Sequence, residues 1–206
     1  MSEYSHIFKI FLLGENAVGK TRILFQFVKN TFTKSYLSTI GIDLGSKVIH
    51  VSDKIIQLKI WDSAGQERYR SIPMGMLKDA DGIVLVYDVT NGESFSKINE
   101  WIEQIKLNIN IEDISLVLLG NKCDIEKREV SQQQGKEIAQ ELNISYFETS
   151  ALNGEGINEA FEHLAKEIMK KKGDVISDRK SFYLSSSTKR KNNKKGCCYS
   201  YSNKIE

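Results

Sequence analysis

The sequence predicts an α/β domain, with a mostly parallel sheet flanked by helices on both faces, and three observations carry that prediction. Apolar runs of strand length alternate with stretches whose apolar residues recur at helical spacing. Two of the runs, Ile83–Tyr87 and Leu116–Leu119, are nearly uninterrupted, as suits parallel strands covered on both faces. The first run ends in a glycine-containing loop that leads straight into a helical stretch.

Taken in order, "IFKIFLL" at residues 7–13 is the first strand, and the helix after its loop runs from Gly19 to about Asn30. "IDLGSKVIHV" and "IIQLKIWD" are separated only by "SDK", close enough to pair as an antiparallel hairpin. Between the two buried strands, Phe95, Ile98, Trp101, Ile102 and Ile105 form one helical stripe. The last helix carries Ile157, Ala160, Phe161, Leu164 and Ile168 on one face. These stripes are core positions without a role in chemistry. In such sheets ligands sit at the carboxyl ends of the strands, so the informative loops follow Leu13, Asp62, Tyr87, Leu119 and Phe147.

The chain has 206 residues, enough for one domain with a full core plus an appendage. With 40% hydrophobic and 27% charged residues it has globular composition, and its apolar runs fall far short of the roughly 20 residues a membrane helix needs. The first residues lack a basic n-region, and Ser2 stands where myristoylation needs glycine, so neither a secretory signal nor that anchor is expected. Three cysteines cannot frame a disulfide fold, and three scattered histidines do not suggest zinc, which fits a reducing cytosol. The net charge of +2 hides a division: residues 173–206 carry a net +5, leaving −3 for residues 1–172. We therefore expect a domain at 1–172 and a flexible basic tail at 173–206 whose partner is anionic.

The loop after the first strand is "GENAVGKT", Gly14 to Thr21, which matches G-x-x-x-x-G-K-[ST] between a strand and a helix. In such a loop the backbone N–H groups of Gly14, Asn16, Ala17, Val18 and Gly19, together with the helix start at Lys20, Thr21 and Arg22, converge on phosphates. Lys20 adds positive charge, and the Thr21 hydroxyl can ligate Mg²⁺. A chance match in a glycine turn is the bland alternative.

Base identity is addressed by "NKCD" at the end of a later strand. The Asp124 carboxylate can accept from the N1–H and 2-amino group of guanine, whereas adenine offers neither donor and would leave it desolvated and unpaired. Asn121 can tie this loop to the phosphate loop, and the stem of Lys122 can cover the base. "ETSA" after the next strand can offer the Ala151 N–H to the guanine O6. Between these loops, "WDSAGQE" sets Asp62 to hold Mg²⁺ through water, Gly65 to contact a γ-phosphate and Gln66 to orient the attacking water. Thr39 of "STIG" can complete the Mg²⁺ shell when a third phosphate is present.

In this order and spacing, the motifs resemble the Ras-like small GTPases over about residues 7–172. "IGIDL", "WDSAGQERYRSI", "VYDVT" followed by "ESF", "GNKCD", "ETSA" and paired cysteines in a tail resemble the Rab branch in particular. The resemblance implies a six-stranded sheet with one antiparallel strand and a GTP/GDP cycle that regulates vesicle traffic. It also implies exchange factors, GTPase-activating proteins, effectors, a GDP-dissociation inhibitor and escort or prenylation machinery as partners of a monomer. Carried over residue by residue, it adds Phe32 against the base, Ser150 and Leu152 in the base loop, and an effector surface of Ile40, Gly41, Leu44, Trp61 and Met76.

The chain departs from that pattern in places. Ala17 stands where a glycine is usual, an alanine that fits if its φ stays negative. Leucine and methionine replace the usual aromatics at positions 44 and 76, and Leu152 replaces a lysine. Two rival readings remain at this stage: a small-molecule P-loop kinase, and a GTP-loaded binding module without useful turnover. In the tail, "KRKNNKK" beside Cys197 and Cys198 favours a lipidated anchor on the cytosolic face of an endomembrane over nucleic acid. Eight residues follow the cysteines, which leaves a trimmed extension, a tolerated one, or palmitoylation instead of prenylation.

Overall fold

The computed structural model describes residues 4–30, 42–63 and 77–173. The described strands are β1 (His6–Leu13), β2 (Ile42–Val51), β3 (Lys54–Ser63), β4 (Gly82–Asp88), β5 (Ser115–Asn121) and β6 (Ser145–Thr149). The helices are α1 (Lys20–Lys29), α2 (Gly92–Ser96), α3 (Ile98–Lys106), α4 (Gln132–Glu141) and α5 (Ile157–Lys171). The strands form one sheet in the order β2-β3-β1-β4-β5-β6. All neighbours are parallel except the β2/β3 hairpin. The predicted six-stranded, mostly parallel architecture is therefore the observed one.

Alternation along β1 divides the core. Phe8, Ile10 and Leu12 join Ile23, Leu24 and Phe27 of α1 and Phe161, Leu164 and Ile168 of α5 on one face. Phe11 and Leu13 join Ile98, Ile102 and Ile105 of α3 and Ala139 of α4 on the other. Every residue of β4 and β5 is buried, because helices cover both faces of the sheet centre.

Two elements differ from the sequence reading. The stripe from Phe95 to Ile105 is split into α2 and α3 at Lys97, whose φ of −81° and ψ of −6° interrupt the helix while staying close enough to helical geometry to keep the stripe in phase. Helix α4 was not legible from apolar spacing, since of its ten residues only Gly135 and Ala139 are buried. Its signal is the capping box: Gln134 N–H donates to Ser131 Oγ at 3.2 Å, and Ser131 N–H donates to Gln134 Oε1 at 2.9 Å.

Candidate functional site

Three loops at the carboxyl ends of β1, β5 and β6 meet on one edge of the sheet, and Asn121 joins them. Its Nδ2 donates to the Val18 carbonyl of the first loop at 2.8 Å. Its Oδ1 accepts the Thr149 hydroxyl at 3.3 Å and the Ala151 N–H at 3.2 Å. The glycines of the first loop make this approach possible. A Cβ on Gly19, whose φ is 103°, would lie 2.3 Å from Asn121 Nδ2, and one on Gly14, whose φ is 134°, would lie 2.1 Å from the Val86 carbonyl oxygen. The loop is thus wedged between β4 and the β5 end, with Val18 buried and Asn16 and Ala17 exposed.

Lys20 opens α1 and is almost fully buried. Its Nζ donates to the carbonyls of Gly14 at 2.9 Å and Glu15 at 2.8 Å, which braces the loop across its mouth. Burial pulls its pKa down to about 8, against the opposing attraction of the Asp62 and Glu15 carboxylates. Glu15 is in turn held by the Trp101 indole N–H at 3.0 Å. Next in the helix, the Thr21 hydroxyl donates to Oδ2 of the buried Asp62, at the end of β3. A hydroxyl and a carboxylate side by side, hard oxygen donors few in number, fit Mg²⁺, which keeps several waters and takes its other ligands from substrate phosphates. Arg22 follows half-buried in the same turn.

Ala17 corrects an expectation. Its φ is +60°, in the left-handed region, not negative as its fit was expected to require. The loop's path fixes that conformation, and an alanine Cβ there carries a strain of about 1–2 kcal/mol.

The base loops are held from several sides. The Ser150 hydroxyl donates to Asp124 Oδ1 at 2.5 Å, orienting a carboxylate that otherwise faces solvent. Ser150 Oγ also accepts the Leu152 N–H at 3.2 Å, and the Leu152 side chain stands 51% exposed. The Ala151 N–H, expected from the sequence to face a guanine O6, donates here to Asn121. Lys122 has a φ of 67°, and its Nζ pairs with Asp88 Oδ2 at 2.5 Å. Beneath the loops, Tyr87 and Tyr146 share a hydrogen bond at 3.0 Å, and Tyr146 donates to Glu148 Oε1 at 3.1 Å. Arg128 grips both oxygens of that carboxylate. Burial raises the pKa of both tyrosines and lifts the Cys123 thiol to about 11, a thiol that nearby Glu155, Glu148 and Asp124 also keep protonated.

Asp88, Glu15, Trp101, Arg128 and Glu148 were not singled out as site residues from the sequence; Asp88 closes the "VYD" run and could have been suspected from its place at a strand end. Of the residues expected on an effector surface, Leu44 is 57% exposed beside half-buried Trp61, its cross-strand partner, which stacks on Phe11. Phe32, Thr39, Ile40, Gly41, Gly65, Gln66, Met76, Cys197 and Cys198 lie outside the described residues.

A phosphate loop between strand and helix, on a doubly covered parallel sheet, defines a P-loop nucleotide-binding domain. The family model of the Ras family matches residues 9–170. Ras-related protein Rab-13 of Rattus norvegicus is 42% identical over 179 residues, 86% of this chain and 88% of that protein. Rab-13 of Canis lupus familiaris is 43% identical over 171 residues, 82% and 84% of the two chains. Ras-related protein Rab-8B of Homo sapiens is 42% identical over 179 residues, 86% of each. The chain belongs to the Rab branch of the Ras family of small GTPases. It is a GTPase that uses GTP, GDP and Mg²⁺ and acts as a Rab-type switch in vesicle traffic, working through regulators and effectors. No described helix is long and apolar enough to cross a membrane.

Proposed function

We propose that the three joined loops form the guanine-nucleotide pocket of this switch, and that the residues named from the sequence divide its work. The supporting observation is the position of Asn121, bonded at once to the phosphate loop and to the loop that carries Ala151. Asp124, set by Ser150, reads guanine; Lys122, Ala151 and Leu152 line the base, with Phe32 at its edge. Backbone amides from Gly14 to Thr21, with Lys20, hold the phosphates. Thr21, Asp62 and Thr39 would hold Mg²⁺, which would supply charge neutralisation at the phosphates. Gln66 orients the attacking water and Gly65 contacts the γ-phosphate. With no arginine between Phe32 and Thr39 to act in cis, intrinsic hydrolysis is slow, on the order of 10⁻⁴ to 10⁻³ s⁻¹, and a partner arginine accelerates it.

Loss of the γ-phosphate releases the contacts of Thr39 and Gly65, and effectors read the difference at Ile40, Gly41, Leu44, Trp61 and Met76. Residues 1–172 form this switch domain. The basic tail, lipidated at Cys197 or Cys198, holds it on the cytosolic face of an endomembrane. Exchange factors, GTPase-activating proteins, a GDP-dissociation inhibitor and escort or prenylation machinery act on it. The pocket reading is tested by competition for labelled GDP: unlabelled GTP displaces it and ATP does not.

A further inference from the structure

The loop after β4 belongs to none of the nucleotide motifs, yet it ends against one of them. We propose that Asp88 is a positioning residue for Lys122, fixing the lysine against the bound nucleotide and thereby slowing nucleotide release. The inference rests on the reading of Lys122 as a base-covering residue.

Four observations carry it. Asp88 is the last residue of β4 and lies opposite Asn121 in the β4/β5 register, so its side chain emerges one residue from the lysine it pairs with. The Val89 N–H donates to the Asn121 carbonyl at 3.0 Å, which locks the two strand ends together. The carboxylate is itself immobilised: Oδ1 accepts the Thr90 N–H at 2.9 Å and the Thr90 hydroxyl at 2.7 Å, leaving Oδ2 for Lys122 Nζ at 2.5 Å. Finally, the Asp88 side chain is 8% exposed and that of Lys122 is 33% exposed. A buried anion held on rigid strand is therefore the anchor, and a flexible cation at the pocket is the part that it orders.

The surroundings fit an anchor. Ser94 Oγ accepts the Asp88 N–H at 3.0 Å and donates to the Asn91 carbonyl at 2.7 Å, while the Asn91 side chain caps α2 by accepting the Ser94 N–H at 3.2 Å. A lysine stem has four rotatable bonds, so an unanchored Lys122 samples many rotamers and loses that freedom each time a base is bound. Anchoring meets that cost in advance, which is how preorganisation lengthens residence time.

Asp88→Asn isolates the effect, because the amide oxygen still accepts from Thr90 while the amide nitrogen faces the ammonium with hydrogens. We expect GDP to leave this variant roughly tenfold faster than wild type, about 1.4 kcal/mol, with the same acceleration in Lys122→Met. The double variant should be no faster than either single one. A merely structural role for Asp88 would add its own factor on top of the Lys122→Met effect, and that additivity overturns the proposal. So does a release rate within twofold of wild type for Asp88→Asn when Lys122→Met is accelerated. An unaltered rate in Lys122→Met overturns both the proposal and the base-covering role on which it rests. Asp88→Glu, kept within reach of Nζ by one added methylene, should recover part of the slow release.

Discussion

At residue scale the phosphate loop shows a conflict between backbone and side chain. Ala17 sits at φ +60°, where glycine is nearly free of strain. Glycine loses more chain entropy on folding, but the Cβ penalty at this φ is the larger quantity. Ala17→Gly is therefore expected to stabilise the fold by about 1 kcal/mol, raising Tm by roughly 2–4 °C. Thermal unfolding at matched nucleotide concentration checks it; a lowered Tm would show that the methyl contributes packing which outweighs strain.

Lys20 gives the second residue-scale expectation. Its pKa is held near 8 in the fold against 10.5 in the unfolded chain, so between about pH 8 and 10.5 the unfolded state binds more protons. This group's contribution to stability thus rises with pH through that window. An arriving polyphosphate brings negative charge against the ammonium and raises its pKa, so GDP binding should take up a proton. At pH 8.5, above the lowered value and below the ordinary one, the uptake should be a measurable fraction of a proton per site. Calorimetry in two buffers of different ionisation enthalpy measures it, and a buffer-independent heat would contradict the assignment.

At element scale, legibility followed the strength of each local signal. The central strands were readable because burial on both faces makes them continuous apolar runs, and α5 because five of its buried residues share one stripe. Helix α4 was not, because the residues it buries are the small Gly135 and Ala139. A Cβ on Gly135 would lie 2.5 Å from both Tyr146 Cζ and Tyr87 Oη, so the helix is kept thin to fit the tyrosine pair. That competition makes a sharp test. Gly135→Ala gains about 1 kcal/mol of helix propensity, while overpacking costs typically 1–3 kcal/mol. Net destabilisation by urea unfolding is the expected result; net stabilisation would mean the tyrosines move aside cheaply.

The loops that meet at Asn121 were each legible because each is a local string with its own composition. Asp88, Glu15 and Arg128 act through contacts with residues far along the chain: Asp88 with Lys122, Glu15 with Trp101, Arg128 with Glu148. No local pattern announces such pairs. The sign of φ at Ala17 was equally hidden, since a backbone path is set by what the loop must clear on either side.

At the scale of the whole molecule, topology turns separate strings into one pocket. Strands β1, β4 and β5 are neighbours in the sheet although their ends, Leu13, Asp88 and Asn121, fall far apart along the chain, and their loops emerge on the same edge. Asn121 then ties the phosphate end to the base end by hydrogen bonds that span the pocket. On the pocket proposed above, phosphate holding and base reading are mechanically linked, as suits a switch that releases and rebinds a whole nucleotide.

The central claim is that this pocket accepts a guanine nucleotide and excludes adenine. Equilibrium competition for a labelled GDP, in the presence of Mg²⁺, measures it most directly. GTP and GDP should displace the label at comparable concentrations, and ATP should need an excess on the order of 10⁴-fold, as expected when the wrong base covers and desolvates the Asp124 carboxylate without pairing it. Displacement by ATP within tenfold of GTP would contradict the account.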